Sequence, residues 1–144
     1  MKTFASFGER LSEIIQERNI TAKELANELG FSHRAINHWR KNERDIRLSN
    51  LIAISRYFNY SLEYLVGRAE INYKPTFKTL PKFSDSVRMV MKKRGVTSYK
   101  IRNETQFSGG FFNDWDKGTE PQLSTLIELA NYLNCSLDEL VGLE

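Results

Sequence analysis

The stretch "TAKELANELGFSHRAINHWRKN", residues 21–42, decides the fold. Thr21 is a good helix N-cap, and Glu24 stands three positions later, where its side chain completes a capping box. Apolar residues then recur at helical spacing until Gly30, which suits the left-handed conformation at a helix C-terminus. Ser32 is a second N-cap. The pattern therefore predicts two short helices joined by a tight turn.

The same pattern recurs later in the chain. Trp39 and Trp115 lie 76 positions apart, and at this spacing nine other residues of the first copy meet identical residues: Phe7, Arg18, Thr21, Asn27, Glu28, Phe31, Ser32, Asn37 and Lys41. After a one-residue deletion, "LSNLIAISRYFNYSLEYLVG" (48–67) aligns with "LSTLIELANYLNCSLDELVG" (123–142). The chain therefore contains a duplicated unit.

Each copy shows five segments of helical periodicity, and neither shows the alternation typical of strands. We predict an all-α fold with two tandem five-helix domains, 1–68 and 82–144. The segment 69–81 contains Pro75 and Pro81 and has no helical pattern, so we predict a linker there.

Composition excludes several classes of protein. The 144 residues are 40% hydrophobic and 27% charged, which is typical of globular proteins. No apolar run approaches the roughly 20 residues of a membrane span, and the N-terminus lacks the apolar stretch of a signal peptide. We expect a cytoplasmic protein without a membrane partner. A net charge of +3 is compatible with nucleic-acid binding.

The sequence contains no pattern that predicts a cofactor, a metal or an enzyme. Cys135 is the single cysteine and matches no zinc motif. His33 and His38 are five positions apart, which does not suit a shared metal on a helix. Neither a nucleophile–base pair nor a phosphate-binding glycine loop is present. We expect a protein that binds rather than catalyses.

Residues 5–67 resemble the phage-repressor and Cro-like (XRE-type) helix-turn-helix family, and residues 81–142 resemble it with weaker turn chemistry. The matching features are Thr21 with "ELA" at 24–26, Gly30, Ser32, Ile36 with Trp39, and the ending Ser61, Leu62, Leu65 and Gly67. The resemblance implies lambda-repressor-like DNA-binding domains and places the helix at 33–41 in the major groove of double-stranded DNA.

The chemistry of that helix agrees with this role. Ile36 and Trp39 lie on one side and are expected in the core, whereas the opposite side is polar. Arg34 can donate to guanine, and Asn37 can pair with adenine. The predicted base-contacting residues are His33, Arg34, Asn37 and His38. The predicted phosphate-contacting residues are Thr21, Ala22, Lys23, Ser32, Arg40, Lys41 and Arg44. The alternative is that these cations only solvate an exposed helix.

The second copy has different chemistry at the corresponding positions. Gly109, Gly110 and Asp114 replace His33, Arg34 and His38. Glycine has no side chain with which to contact a base, and a carboxylate has the wrong sign for phosphate-lined DNA. Two further changes affect the turn, since Gln106 replaces Gly30 and Arg102 replaces Ala26. We predict that the second copy keeps the fold and loses base recognition.

Phe111 replaces Ala35 at the edge of the apolar stripe, which Phe112 and Trp115 form as the core pair. It is either filler for the core or an exposed aromatic anchor for self-association or a protein partner. With Asp114, it is our candidate for a protein interface. A third alternative is that the glycines allow close approach to DNA phosphate.

Two functions follow from different classes. The favoured one is a sequence-specific DNA-binding transcriptional regulator, a repressor, with a C-terminal domain for dimerisation or partner binding. The alternative is a protein-binding modulator of the antitoxin or phage-inhibitor type, whose C-terminal domain binds a protein and whose N-terminal domain autoregulates.

Overall fold

The computed structural model describes residues 3–73, 75, 77–107 and 109–144. These residues form ten α-helices and no β-strand, which confirms the predicted all-α class. The chain divides into two compact units, Met1–Pro75 (unit 1) and Thr76–Glu144 (unit 2). Residues 74 and 76 of the predicted linker lie outside the described residues, as does Ser108, the counterpart of Ser32.

Each unit contains five helices. In unit 1 they are α1 (Phe7–Glu17), α2 (Ala22–Leu29), α3 (His33–Arg40), α4 (Leu48–Phe58) and α5 (Leu62–Leu65). In unit 2 they are α6 (Phe83–Arg94), α7 (Ser98–Glu104), α8 (Gly109–Asp116), α9 (Leu123–Leu133) and α10 (Leu137–Val141).

The predicted starts of α2 and α3 and the predicted end of α2 are confirmed, whereas α3 ends at Arg40, one residue before the predicted 41. The Thr21 side chain accepts a hydrogen bond from Glu24 N at 3.0 Å, and Glu24 Oε1 accepts one from Thr21 N at 3.2 Å. Gly30 adopts the left-handed conformation, with φ 72°, and ends α2. The Ser32 hydroxyl accepts from Ala35 N at 3.0 Å. Hydrogen bonds between residues close in sequence therefore determine where these helices begin and where α2 ends.

Helix α3 is held in unit 1 by its apolar side. Ile36 is fully buried, and Trp39 is 4% exposed and packs edge-on against Phe31 with ring centroids 5.3 Å apart. Burying such side chains contributes about 1.5–3 kcal/mol each. They join the core of Leu11, Ile14, Leu25, Ile46, Leu51, Leu62 and Leu65.

Helix α1 approaches the end of α3 closely because Gly8 has no side chain. A Cβ at this position would lie 2.6 Å from both Trp39 O and Arg40 O. Asn42, left-handed at φ 57°, fastens the contact. Its Oδ1 accepts from Gly8 N at 3.0 Å, and its Nδ2 donates to Ser6 Oγ at 3.0 Å.

The segment that follows α5 packs on unit 1. Arg68 is buried and forms an ion pair with buried Glu63 at 2.6 Å. Asn72 Oδ1 accepts a hydrogen bond from Ser61 N at 2.9 Å, and Arg10 Nη1 donates to Ala69 O at 3.3 Å. The first residues of the predicted linker are therefore fixed to unit 1, and the division between the units falls later, after Pro75.

The turn of unit 2 is built without a glycine. Helix α7 ends at Glu104, and Thr105 takes an extended conformation with φ −134°. The Thr105 hydroxyl donates to Ile101 O and accepts from Phe107 N. Gln106, which replaces Gly30, donates from Nε2 to Glu128 Oε2 at 2.6 Å. A side-chain cap therefore replaces the left-handed residue.

This turn changes the aromatic core of unit 2. We expected Phe112 and Trp115 to form the core pair, but Phe112 is only partly buried and Phe107 is fully buried. Trp115 contacts the rings of Phe83, Phe107, Phe111 and Phe112, with centroids 5.0–6.1 Å apart. The prediction of a fully buried Phe112 was wrong, since Phe107 takes the buried position beside Trp115 and Phe112 keeps only an edge contact with it.

The first and third helices of each unit are joined by one equivalent contact, but the residues that form it carry different charges in the two units. In unit 1, Arg40 Nε donates to Ser12 Oγ at 3.2 Å. At the same two positions of unit 2 stand Arg88 and Asp116, which form a two-point ion pair at 2.7 and 2.9 Å. The cation has therefore moved from the third helix to the first.

We expect Gly8→Ala to lower the free energy of unfolding by about 1–3 kcal/mol, because the new methyl group meets backbone oxygens that cannot move aside. At roughly 4–8 °C per kcal/mol, thermal melting would detect the loss. Gly109→Ala is the matched control, since its Cβ would meet nothing within 4 Å. Equal melting of both variants would contradict the close approach of α1 and α3.

The Arg88–Asp116 pair gives a second test. Asp116→Arg alone places two guanidinium groups together and should lower the melting temperature of unit 2 by roughly a few degrees. Arg88→Ser in the same chain recreates the Ser12–Arg40 pair and should restore much of the loss. The coupling is measured as a double-mutant cycle at low salt. Additive effects would show that the pair does not stabilise unit 2.

Candidate nucleic-acid interface

The polar residues of α3 form two stripes. In each stripe, a hydrogen bond joins two side chains that lie one helical turn apart. In the first stripe, Asn37 Nδ2 and His33 Nε2 are 3.2 Å apart. In the second stripe, Arg34 Nε donates to His38 Nε2 at 3.3 Å. Because Ile36 and Trp39 occupy the core side, all four predicted base-contacting residues lie toward solvent. His33 and Arg34 are exposed, and the other two are partly buried.

The first stripe opens into a groove of about 460 Å³ between α1, the start of α2, and α3. This groove brings together six of the predicted contact residues: Thr21, Ala22, Lys23, His33, Asn37 and Arg40. The amides at the start of α2 are free of helical partners and carry the positive end of its dipole. The groove therefore combines hydrogen-bond donors with two cations.

The predicted phosphate-contacting residues are not equivalent. Thr21, Lys23, Ser32, Lys41 and Arg44 are exposed. The Ala22 side chain is buried, so only its backbone could contact a phosphate. Arg40 is partly buried and hydrogen-bonded to Ser12, so it lines the groove instead of extending freely. Ser32, Lys41 and Arg44 lie outside the groove.

Sequence reasoning missed several residues at this site. Ser12 and Gln16 of α1 line the groove, and their spacing of four on a polar helix face was an available signal. Glu43 lies beside the second stripe, with Oε1 3.6 Å from His38 Nδ1. No local pattern indicates this contact, because it depends on how the chain turns after α3.

Unit 2 has a smaller groove, about 370 Å³, in the corresponding place. Gly109, Asn113 and Asp116 line it where His33, Asn37 and Arg40 line the first. The hydrogen bond from Arg88 holds the pKa of Asp116 well below its usual range. The pair therefore stabilises unit 2 above the ordinary pKa of an aspartate, and acidification removes this contribution. Arg88 lines this groove but is paired with Asp116, whereas the exposed Arg102 also lines it and is not part of that pair.

The two candidates for a protein interface differ in exposure. Asp114 is exposed on α8. Phe111 is partly buried, and its ring lies 5.2 Å from that of Phe107 and 6.0 Å from that of Trp115. The ring therefore fills space beside the core, and less of it is available to a partner than an exposed anchor would offer.

The described residues contain neither a metal-binding cluster nor a membrane-spanning helix. No cluster of three or more His, Cys, Asp or Glu side chains could hold a metal ion there. Among the same residues, no helix is long and apolar enough to span a membrane.

Comparison with known proteins agrees with this architecture. Residues 11–65 match the helix-turn-helix family, and residues 86–144 match the family of Cro/C1-type HTH DNA-binding domains. The HTH-type transcriptional regulator ImmR of Bacillus subtilis (strain 168) is 32% identical over 69 residues, which cover 48% of this chain and 54% of ImmR. The chain therefore spans about half the length of this curated relative.

Each copy of the repeat thus matches a helix-turn-helix family separately. In the structure, each copy forms five helices in the same order. The chain belongs to the phage-repressor and Cro-like (XRE-type) helix-turn-helix family, with two copies of the domain in tandem.

Proposed function

We propose that the chain is a sequence-specific double-stranded DNA-binding transcriptional regulator that acts in the cytoplasm and recognises the major groove with α3 of unit 1. The observation that carries this proposal is the geometry of α3. Its apolar side is buried through Ile36 and Trp39, and its outer side presents His33, Arg34, Asn37 and His38. These side chains can donate to or accept from base edges.

Phosphate contacts would set the register of this helix on the duplex. The cations at its end, Lys41 and Arg44, are exposed, and Lys23 is exposed beside the start of α2. Side chains and helix N-terminal amides placed around a recognition helix are the usual means of fixing orientation on the backbone. Their presence favours DNA contact over an exposed helix that cations merely solvate.

Repression is the simplest activity that such a protein could have. Occupying a promoter is sufficient to block transcription, and it requires no contact with polymerase. An in vitro transcription reaction on DNA selected for binding would test it, since a decrease in transcript with added protein supports repression.

We expect Arg34→Ala to lower specific affinity by roughly 1–3 kcal/mol and to relax the preference at one base pair, as loss of a bidentate guanine contact does. Lys41→Ala should weaken binding to all sequences and reduce the slope of log affinity against log salt by about 1. Gel shifts on selected and scrambled duplexes across a salt series measure both effects. Uniform losses without any change in preference would reject Arg34 as a base-contacting residue.

Unit 2 has a different role in this proposal. Gly109, Gly110 and Asp114 give α8 no cation at its base-facing positions, so we propose that unit 2 pairs two chains on neighbouring half-sites. The same features favour the second candidate, a modulator whose unit 2 binds another protein and whose unit 1 autoregulates. Association of the isolated chain with itself supports the first candidate, and a monomer that binds only one half-site supports the second.

The α8 face can be tested with one surface variant and one packing variant. Asp114→Lys changes an exposed charge, so we expect an unchanged melting temperature and weaker self-association in sedimentation without DNA. Phe111→Ser removes ring contacts to Phe107 and Trp115 and should cost about 1–3 kcal/mol of unfolding free energy. If neither variant alters association, the pairing surface lies elsewhere on the chain.

A further inference from the structure

Arg34, His38 and Glu43 form a chain of three polar side chains along the outer face of α3. Arg34 Nε donates to His38 Nε2 at 3.3 Å. On the other side of the imidazole ring, Nδ1 lies 3.6 Å from Glu43 Oε1. Among the described residues, Arg34 makes no other hydrogen bond, so both of its terminal nitrogens are available to a ligand.

The chemistry of arginine fixes the proton on the ring. A guanidinium nitrogen can only donate, so His38 Nε2 accepts in this contact, which leaves Nδ1 to carry the ring proton. That N–H then faces the carboxylate of Glu43. An oxygen beside this end of the ring stabilises the tautomer that Arg34 requires, since the second partner of a histidine selects which nitrogen is protonated.

The backbone places Glu43 at this position. Glu43 N donates to His38 O at 2.9 Å in the turn that follows α3. Unit 2 repeats this turn, where Thr119 N donates to Asp114 O at 3.0 Å. All three side chains nevertheless differ, because Gly110, Asp114 and Thr119 stand where Arg34, His38 and Glu43 stand in unit 1. The copy that lacks the arginine also lacks the two residues that would hold it.

We propose that Glu43 is a positioning residue for base recognition, which acts through His38 to hold Arg34 Nε and leaves the two terminal nitrogens aimed outward. An arginine held in this way loses less side-chain entropy when it binds, and it presents a fixed pair of donors to the O6 and N7 atoms of guanine. The proposal rests on the proposed function. It assigns a recognition role to an acidic residue that would otherwise only repel phosphate.

Two variants of Glu43 separate its charge from its contact. Glu43→Ala and Glu43→Gln remove the same negative charge, so both should bind DNA of any sequence somewhat more tightly. Only glutamine keeps a side-chain oxygen that can lie beside His38 Nδ1. We expect Glu43→Ala to lower the preference at the Arg34 base pair about threefold to tenfold, and Glu43→Gln to retain most of that preference.

The experiment uses the full chain and a pool of duplexes randomised at the base pairs of the selected site. Preference is measured for the wild type, both Glu43 variants, Arg34→Ala, and the double variant Arg34→Ala with Glu43→Ala. If Glu43 acts through Arg34, its removal changes nothing further once Arg34 is absent. Circular dichroism confirms that each variant remains folded.

The outcomes distinguish this inference from the proposed function. If Arg34→Ala leaves the preference unchanged, Arg34 is not a base-contacting residue, and both proposals are overturned. If Arg34→Ala relaxes the preference but Glu43→Ala does not, only the role of Glu43 is rejected. Equal losses in the alanine and glutamine variants would also reject it, because charge rather than the contact would then be responsible. Loss in the alanine variant, retention in the glutamine variant and no effect without Arg34 support it.

Discussion

The burial of Ile36 and Trp39 is the constraint on which the proposed recognition surface depends. An isolated helix of eight residues is not stable in water, so α3 exists because its apolar side is packed into unit 1. At about 100° per residue, fixing those two positions determines the direction of every other side chain on the helix. Gly8 and Asn42 then fasten the end of α3 against α1. The packing of the core therefore determines which side chains of α3 face solvent, where a ligand could bind them.

The two copies satisfy this constraint by different means. In α3, the side chains that face solvent bond to each other in pairs, and Ser32 caps the helix. In α8, the first two residues are glycines, which have no side chains to form such pairs. Unit 2 is stabilised in its core, where Trp115 lies among four other aromatic rings, and at the groove, where Arg88 binds Asp116.

The sequence predicted the elements whose causes are local. Thr21 with Glu24, Gly30 and Ser32 act within a few residues of themselves, so their roles follow from spacing alone. The burial of Phe107 and the cap formed by Thr105 were not predicted. Both belong to a turn in which Gln106 does not take the left-handed conformation of Gly30, and no local pattern indicates such a turn. The Arg88–Asp116 pair joins residues 28 positions apart, beyond the reach of any local pattern. The alignment of the two copies contained a signal for this pair. Arg88 replaces Ser12 and Asp116 replaces Arg40, so both partners of one contact changed between the copies.

The side chains of α3 differ in whether they would have to break an existing hydrogen bond in order to bind DNA. The contact between Asn37 and His33 occupies groups that a base edge would need, so binding must exchange this bond for another. Arg34 has no such conflict, because its Nε contact with His38 leaves both terminal nitrogens free. A preorganised donor pair contributes more to affinity than groups that must first give up a partner. In the proposed complex, Arg34 is therefore the anchor of recognition, and Asn37 and His33 adapt around it.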